Sequence, residues 1–260
     1  MTVPDLPGLA FAAVPMLGVM ALLSWTRLGQ VRELTIATVR LVAQLFLLGL
    51  VLDRVFRSHS PWVVAAVALG MLAASAHAIG ARNGRSARVL RLQAFGAMLL
   101  GASTSMAVAI FLTLRLQSWH DAPTVVPLLG MLLGNSVNGV ALAAERLDAE
   151  LRVGRDLIEA RLALGATARQ AAHEALRASA RAGLAPTIHS MTIAGIVAIP
   201  GMMTGQLLAG AEVGGALRYQ ILIYFLMAGT IGISILALLN LRLARYFTAS
   251  HQLRIDGGTE

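Results

Sequence analysis

Long apolar runs, broken by short polar clusters, organise this chain from end to end. Seven stretches have the roughly 20 apolar residues needed to cross a hydrocarbon core of about 30 Å: 8–26, 36–52, 62–81, 94–114, 123–143, 187–209 and 219–240. None alternates as a strand would, so the pattern predicts helices rather than a barrel. The second run is the least regular, because Arg40 and Gln44 interrupt it. One polar segment stands apart. Residues 145–185 read ERLDAELRVGRDLIEARLALGATARQAAHEALRASARAGLA, and they hold seven arginines between two of the longest apolar runs. Inside it Leu151, Ile158, Leu162 and Ala166 recur at helical spacing. Gly165-Ala166-Thr167 reads as a helix stop followed by a fresh N-cap. The predicted fold is an all-α integral membrane protein, a single domain over 1–260. About seven transmembrane helices are expected, with the helical segment 145–185 between spans 5 and 6.

Composition agrees with that class. Hydrophobic residues make up 57% of the chain and charged ones 13%, against about 25% charged in soluble domains; the mean hydropathy is +0.73. With no cysteine, disulfides, thiolate metal sites and cysteine nucleophiles are excluded. The net charge of +8 lacks the aromatic interleaving of a nucleic-acid binder, and membrane topology accounts for it. One set of loops holds sixteen arginines: Arg27, Arg32, Arg82, Arg85, Arg88, Arg91, the seven of 145–185, and Arg242, Arg245 and Arg254. The opposite set holds Arg54, Arg57, Arg115 and Arg218. This bias predicts a multi-pass protein of the cell (inner) membrane, N-terminus outside and C-terminus cytoplasmic, with 145–185 in the cytoplasm. No arginine or lysine lies between Met1 and Phe11, so the first run is expected to be a retained span rather than a cleaved signal.

Polar residues inside apolar runs are costly and mark candidate chemistry. Arg40 and Gln44 sit four apart on one helix face, and the arginine either snorkels to a nearby membrane boundary, anchors helices together, or attracts anions, which makes the two pathway candidates. Asn135, Ser136 and Asn138 fall in the fifth run beside Gly130 and Gly134, a G-x-x-x-G pair that permits close helix approach. Their amides and hydroxyl serve either interhelical hydrogen bonds or a pathway that coordinates a cation. Pro200-Gly201 interrupts the sixth run, with Met202, Met203, Thr204 and Gln206 directly after it. Proline breaks the hydrogen-bond ladder, and transporters use broken helices to build sites near the midplane. That makes Pro200 and Gly201 a candidate hinge. The two histidines predicted to lie in spans, His77 and His189, are candidate metal ligands or hydrogen-bonded structure.

Several motifs carry a family resemblance. Glu159-Ala160 followed by Gly165 resembles the EAA loop of ABC-transporter permeases. PLLGMLLGNSVNG, IEARLALGAT and PGMMTGQLLAG followed by RYQILI are similar to the FetB-type permeases, membrane subunits of iron export. A plant aluminium-tolerance subunit belongs to the same group. The resemblance covers nearly the whole chain. It implies a permease working with a separate cytoplasmic ABC ATPase, which docks on Glu159, Ala160, Arg161 and Gly165. ATP is then used by the partner, and this chain binds no cofactor. Transporter logic adds a homodimer in the lipid bilayer. One departure is His189, where the family pattern leads one to expect asparagine.

The residues support that division of labour. No G-x-x-x-x-G-K-[ST] phosphate loop occurs, and with no lysine none can. A membrane protease is disfavoured: His173-Glu174 starts H-E-x-x-H, but position 177 is arginine. Ser136 and His189 lack a G-x-S-x-G elbow. The alternative is a stand-alone ion-coupled transporter or channel, which would need neither a docking segment nor an ATPase.

Overall fold

The computed structural model describes residues 6–27, 29–58, 60–81, 87–248 and 252–253. Arg82, Arg85 and Arg254, which enter the charge bias above, lie outside the described residues. Among those described, the chain is helical, with two isolated bridges and no strand. Contacts divide it into two compact units, 1–59 and 60–260.

The first unit holds α1 (Leu6–Ala12), α2 (Val14–Trp25) and α3 (Val31–Ser58). A single span was expected over 8–26. Pro15 has no N–H to donate, and the helix is interrupted at Ala13 just before it. The apolar stretch here, Ala10–Trp25, is shorter than a full span. Helix α3 runs unbroken through Arg40 and Gln44, both exposed on its surface. It packs on α2, where the Thr38 hydroxyl meets the Met16 sulfur at 3.5 Å.

The second unit begins with α4 (Pro61–Ala81) and α5 (Ala87–Ala107), the latter closing in a π-turn over Val108–Thr113. Next come α6 (Ala122–Val153), α7 (Arg155–Ala163), α8 (Ala168–Ala171), α9 (His173–Ile193), α10 (Gly201–Leu208) and α11 (Val213–Tyr246). Five helices among the described residues are long and apolar enough to cross a membrane: Val31–Ser58, Pro61–Ala81, Arg88–Thr113, Ala122–Val153 and Val213–Tyr246. The run expected to span at 187–209 is divided instead: α9 stops at Ile193, and α10 starts at Gly201. Pro200 is the residue before α10, with φ −62° and ψ 140°, so the helix cannot pass through it.

Two helices outgrow their predicted spans. At 1.5 Å per residue, α6 is about 48 Å long and α11 about 51 Å, well beyond a core of roughly 30 Å. Helix α6 carries straight on from its apolar run into the charged segment, as far as Val153. Gly154 then separates it from α7. The predicted stop and restart at 165–167 is present. Gly165 has φ +89°, a backbone conformation that only glycine adopts freely. Thr167 forms a capping box, its hydroxyl accepting from the Gln170 N–H while the Gln170 side chain accepts from the Thr167 N–H.

Small residues set the helix crossings. An added Cβ at Gly139 of α6 would stand 2.7 Å from the Gly183 carbonyl oxygen of α9, and one at Gly183 would stand 2.7 Å from the Gly139 carbonyl oxygen. The backbones are therefore in direct contact. On α9 the buried residues Ala175, Ser179, Gly183 and Thr187 follow one another at four-residue spacing and form a narrow small-residue seam. Helices α5 and α11 repeat the device, with Gly101 so close to Ser234 and the Thr230 carbonyl that no Cβ fits. By contrast, Gly134 has open space where a Cβ would stand, and Gly130 would meet only the Met71 methyl end. The expected G-x-x-x-G pair does not make the close approach within the chain; Gly139 does.

Gly183→Leu should therefore lower stability by about 1–3 kcal/mol, the usual cost of overpacking, while Gly134→Ala should be neutral or slightly stabilising. Thermal unfolding of the detergent-solubilised protein checks this, and equal midpoints for the two variants would contradict the crossing. Thr167→Ala should cost about 1 kcal/mol locally, seen as faster amide exchange across residues 168–171 with an unchanged global midpoint.

Candidate functional site

The polar residues of the fifth run separate by face. Ser136 is fully buried and donates to the Leu132 carbonyl oxygen at 2.6 Å. Asn135 and Asn138 are exposed on α6, with Asn135 donating to the Met131 carbonyl oxygen at 2.8 Å. Helical geometry places 136 about 100° from 135 and about 200° from 138. The structure thus keeps the two asparagines together and turns the serine into the core. Ser136 belongs with hydroxyls not singled out in the sequence reading: Ser179 donates to Ala175 at 2.6 Å, and Thr230 to Leu226 at 2.8 Å. Their four-residue spacing with Gly183 and Ser234 was the available signal.

The break after α9 is a compact hairpin. The Ile193 carbonyl oxygen accepts from the N–H groups of Ile196, Val197 and Ala198, and the Gly195 N–H donates back to the Ala198 carbonyl oxygen at 2.9 Å. Gly195 reaches φ +80° to close it. Helices α7 and α8 turn the chain back, so α9 descends alongside α6. From the Gly139–Gly183 crossing, α9 advances about 15 Å to Ile193, whereas α6 extends about 25 Å to Ala122. Beyond the crossing α9 therefore has fewer turns than α6 before it reaches the hairpin. Met202, Met203, Thr204 and Gln206 are half-buried on α10, which packs against α11. The Thr204 hydroxyl donates to the Pro200 carbonyl oxygen at 3.2 Å.

His77 on α4 and His189 on α9 are both exposed. Among the described residues no three histidine, aspartate or glutamate side chains gather into a metal cage. Nothing here joins the two histidines into one site. Arg40 and Gln44 belong to the first unit.

At the other end of α6, the segment α7–α8 forms a charged knob with an unexpected apolar surface. Val153 is 88% exposed and Leu164 89%, and Leu157 is exposed between them. Glu159 and Ala160 are exposed as well, with Glu159 holding Arg155 at 2.8 Å. Arg161 is half-buried and donates to the Ala171 carbonyl oxygen at 3.3 Å, tying α7 to the end of α8. Its visible role is thus internal to the knob. Ile158 is buried beneath.

One buried cluster lay hidden in the charge pattern. Arg242, counted above with the loop arginines, is 4% exposed. Its Nη2 donates to Asp148 Oδ2 at 2.6 Å, and the Tyr246 hydroxyl donates to Asp148 Oδ1 at 2.7 Å. Nη2 also reaches the Tyr246 oxygen at 3.2 Å. The pair joins the knob end of α6 to the last turns of α11.

Comparison with known proteins agrees with this architecture. The model of the uncharacterised protein family UPF0014 matches residues 6–247. A UPF0014 membrane protein of Synechocystis is 38% identical over 237 residues, covering 90% of this chain and 91% of the relative. The rice UPF0014 membrane protein STAR2 is 30% identical over 93% of this chain and 84% of its own length. The Escherichia coli protein named probable iron export permease protein FetB is 30% identical over 82% of this chain and 81% of its own. No solved structure matches. With its apolar spans and these relatives, the chain is a multi-pass membrane protein and belongs to the UPF0014 family.

Proposed function

We propose that this chain is the membrane-spanning permease subunit of an ABC transporter, driven by a separate ATPase subunit and exporting iron or a related metal ion. The observation that carries the reading is the knob. In a segment so rich in arginine and glutamate, Val153, Leu157 and Leu164 are all exposed, and large apolar side chains displayed among charges are what a protein partner can bury. The chain itself has no phosphate loop, so energy for uphill transport comes from a partner or an ion gradient, and the exposed knob favours a partner. Orientation by arginine count puts the knob in the cytoplasm, where an ATPase resides. The E. coli relative's name supports both the permease role and the iron cargo.

In this mechanism the ATPase seats on the patch beside Glu159, Ala160 and Gly165, and its closure on ATP moves the knob. Two copies of the chain form the translocation unit, with both compact units of each acting as one permease domain. The pathway runs past Asn135 and Asn138 and the hinge at Pro200-Gly201, where amide oxygens, the Thr204 hydroxyl and the Gln206 amide offer oxygen ligands to a partly dehydrated cation. Met202 and Met203 add softer thioethers that favour a transition metal over magnesium or calcium.

Two measurements test this. Co-expressed with the ABC ATPase of its own organism, the chain should co-purify with it. Leu164→Asp, Gly165→Leu and Glu159→Lys should each weaken that association about tenfold or more, equivalent to roughly 1.4 kcal/mol or more, with insertion into the membrane unchanged. Undiminished co-purification by all three would remove the docking surface. Deleting the gene should raise cellular iron under iron load, and unchanged iron, copper and manganese would point to a different cargo.

A further inference from the structure

We propose that Asp148, Arg242 and Tyr246 are positioning residues that carry motion of the knob into α11, and through α11 to the broken segment at 194–200. The proposal rests on the ABC reading above and adds to it the route of coupling.

The second unit contains two tightly locked helix pairs. Backbone contact at Gly139–Gly183 locks α6 to α9, and the Gly101 contact with Ser234 and Thr230 locks α5 to α11. The knob continues from the first pair: a single residue, Gly154, separates α6 from α7, and Ile158 is buried at that bend. Rotation of α7 therefore levers the end of α6. Asp148 sits on that end, little more than one turn before Val153. Its carboxylate takes Nη2 of Arg242 at 2.6 Å and the Tyr246 hydroxyl at 2.7 Å, both from the final turns of α11. The Arg242 guanidinium also lies 5.6 Å from the centre of the Tyr246 ring. Far from the knob, α11 carries α10, whose first residue follows Pro200. A push on Asp148 thus has a stiff path to the helix break.

Chemistry argues that the cluster does more than hold the fold. A buried ion pair gains little over apolar side chains of equal volume, yet removing one member strands the other's charge. Apolar packing, with Ile231 of α11 against Gly139 of α6, already brings these two helices together. What the ion pair adds is direction and register, since a carboxylate that accepts from a guanidinium and a phenol tolerates little sliding. That is the property a force-bearing joint between two rigid pairs requires.

The natural absence of cysteine permits a direct test. In the complex of the full chain with its ATPase, Ile196→Cys places a single thiol on the hairpin, where Ile196 is 87% exposed. A water-soluble maleimide should modify it at a rate that changes about fivefold or more between the nucleotide-free and the ATP–vanadate states, the lower range of allosteric coupling. Adding Asp148→Asn should abolish that change while ATPase co-purification and ATP hydrolysis persist. The charge exchange Asp148→Arg with Arg242→Asp should restore part of it. Tyr246→Phe, which keeps the ion pair, should reduce it, and that variant decides the matter if Asp148→Asn fails to fold. An undiminished nucleotide response in both Asp148→Asn and Tyr246→Phe would overturn the proposal. So would loss of the response only together with loss of the ATPase, which would make the cluster part of docking. Failure of the unsubstituted chain to bind any ATPase would instead overturn the ABC reading, and the relay with it.

Discussion

Backbone-to-backbone contact between α6 and α9 at Gly139 and Gly183 is the constraint on which the second unit depends. Lipid supplies no hydrophobic force to bring apolar helices together, so association rests on close packing and on the few polar groups available. At this crossing neither helix has a side chain to hold the other away, and each ideal Cβ would stand 2.7 Å from the opposing carbonyl oxygen. Ser136 and Ser179 are buried nearby because their hydroxyls return to carbonyls of their own helices. They pass through the core without needing partners across it.

From that crossing the rest of the architecture follows as geometry. Fixing α9 against α6 leaves α9 ten residues from Gly183 to Ile193 before the hairpin, fewer than the seventeen of α6 from Gly139 back to Ala122. It also makes the knob an extension of a stiff pair. A charged loop on a loose tether would absorb a push; one separated from a 32-residue helix by a single glycine transmits it. The exposed apolar residues of the knob and the buried Asp148–Arg242 pair then lie at the same end of the molecule, a few turns apart.

Much of this was legible in the residues. The helical class, the spans at 62–81, 94–114, 123–143 and 219–240, and the stop and cap at Gly165–Thr167 all follow from local patterns: apolar run length, a glycine able to take positive φ, and a threonine three residues before a glutamine. The disturbance at Pro200 was also foreseen, though Pro200 proved to precede the start of α10 rather than to bend a continuous helix. Less legible was the division of the asparagines from Ser136, since which way a polar face turns depends on what packs against its neighbour. His77 and His189 likewise sat in apolar runs, and both proved to be exposed on their helices.

The sequence by itself determined the helical membrane class of this protein and the stop and restart at Gly165–Thr167, because each depends on residues close together along the chain. Only the tertiary structure decided which glycines are crossings and which are open. It alone turned Arg242 from one more loop arginine into a buried partner of Asp148, 94 residues away. Those are properties of opposing surfaces. Arginine bears the same charge and glycine the same missing side chain wherever it occurs; only the helix across from it settles whether the charge is paired or the space is filled.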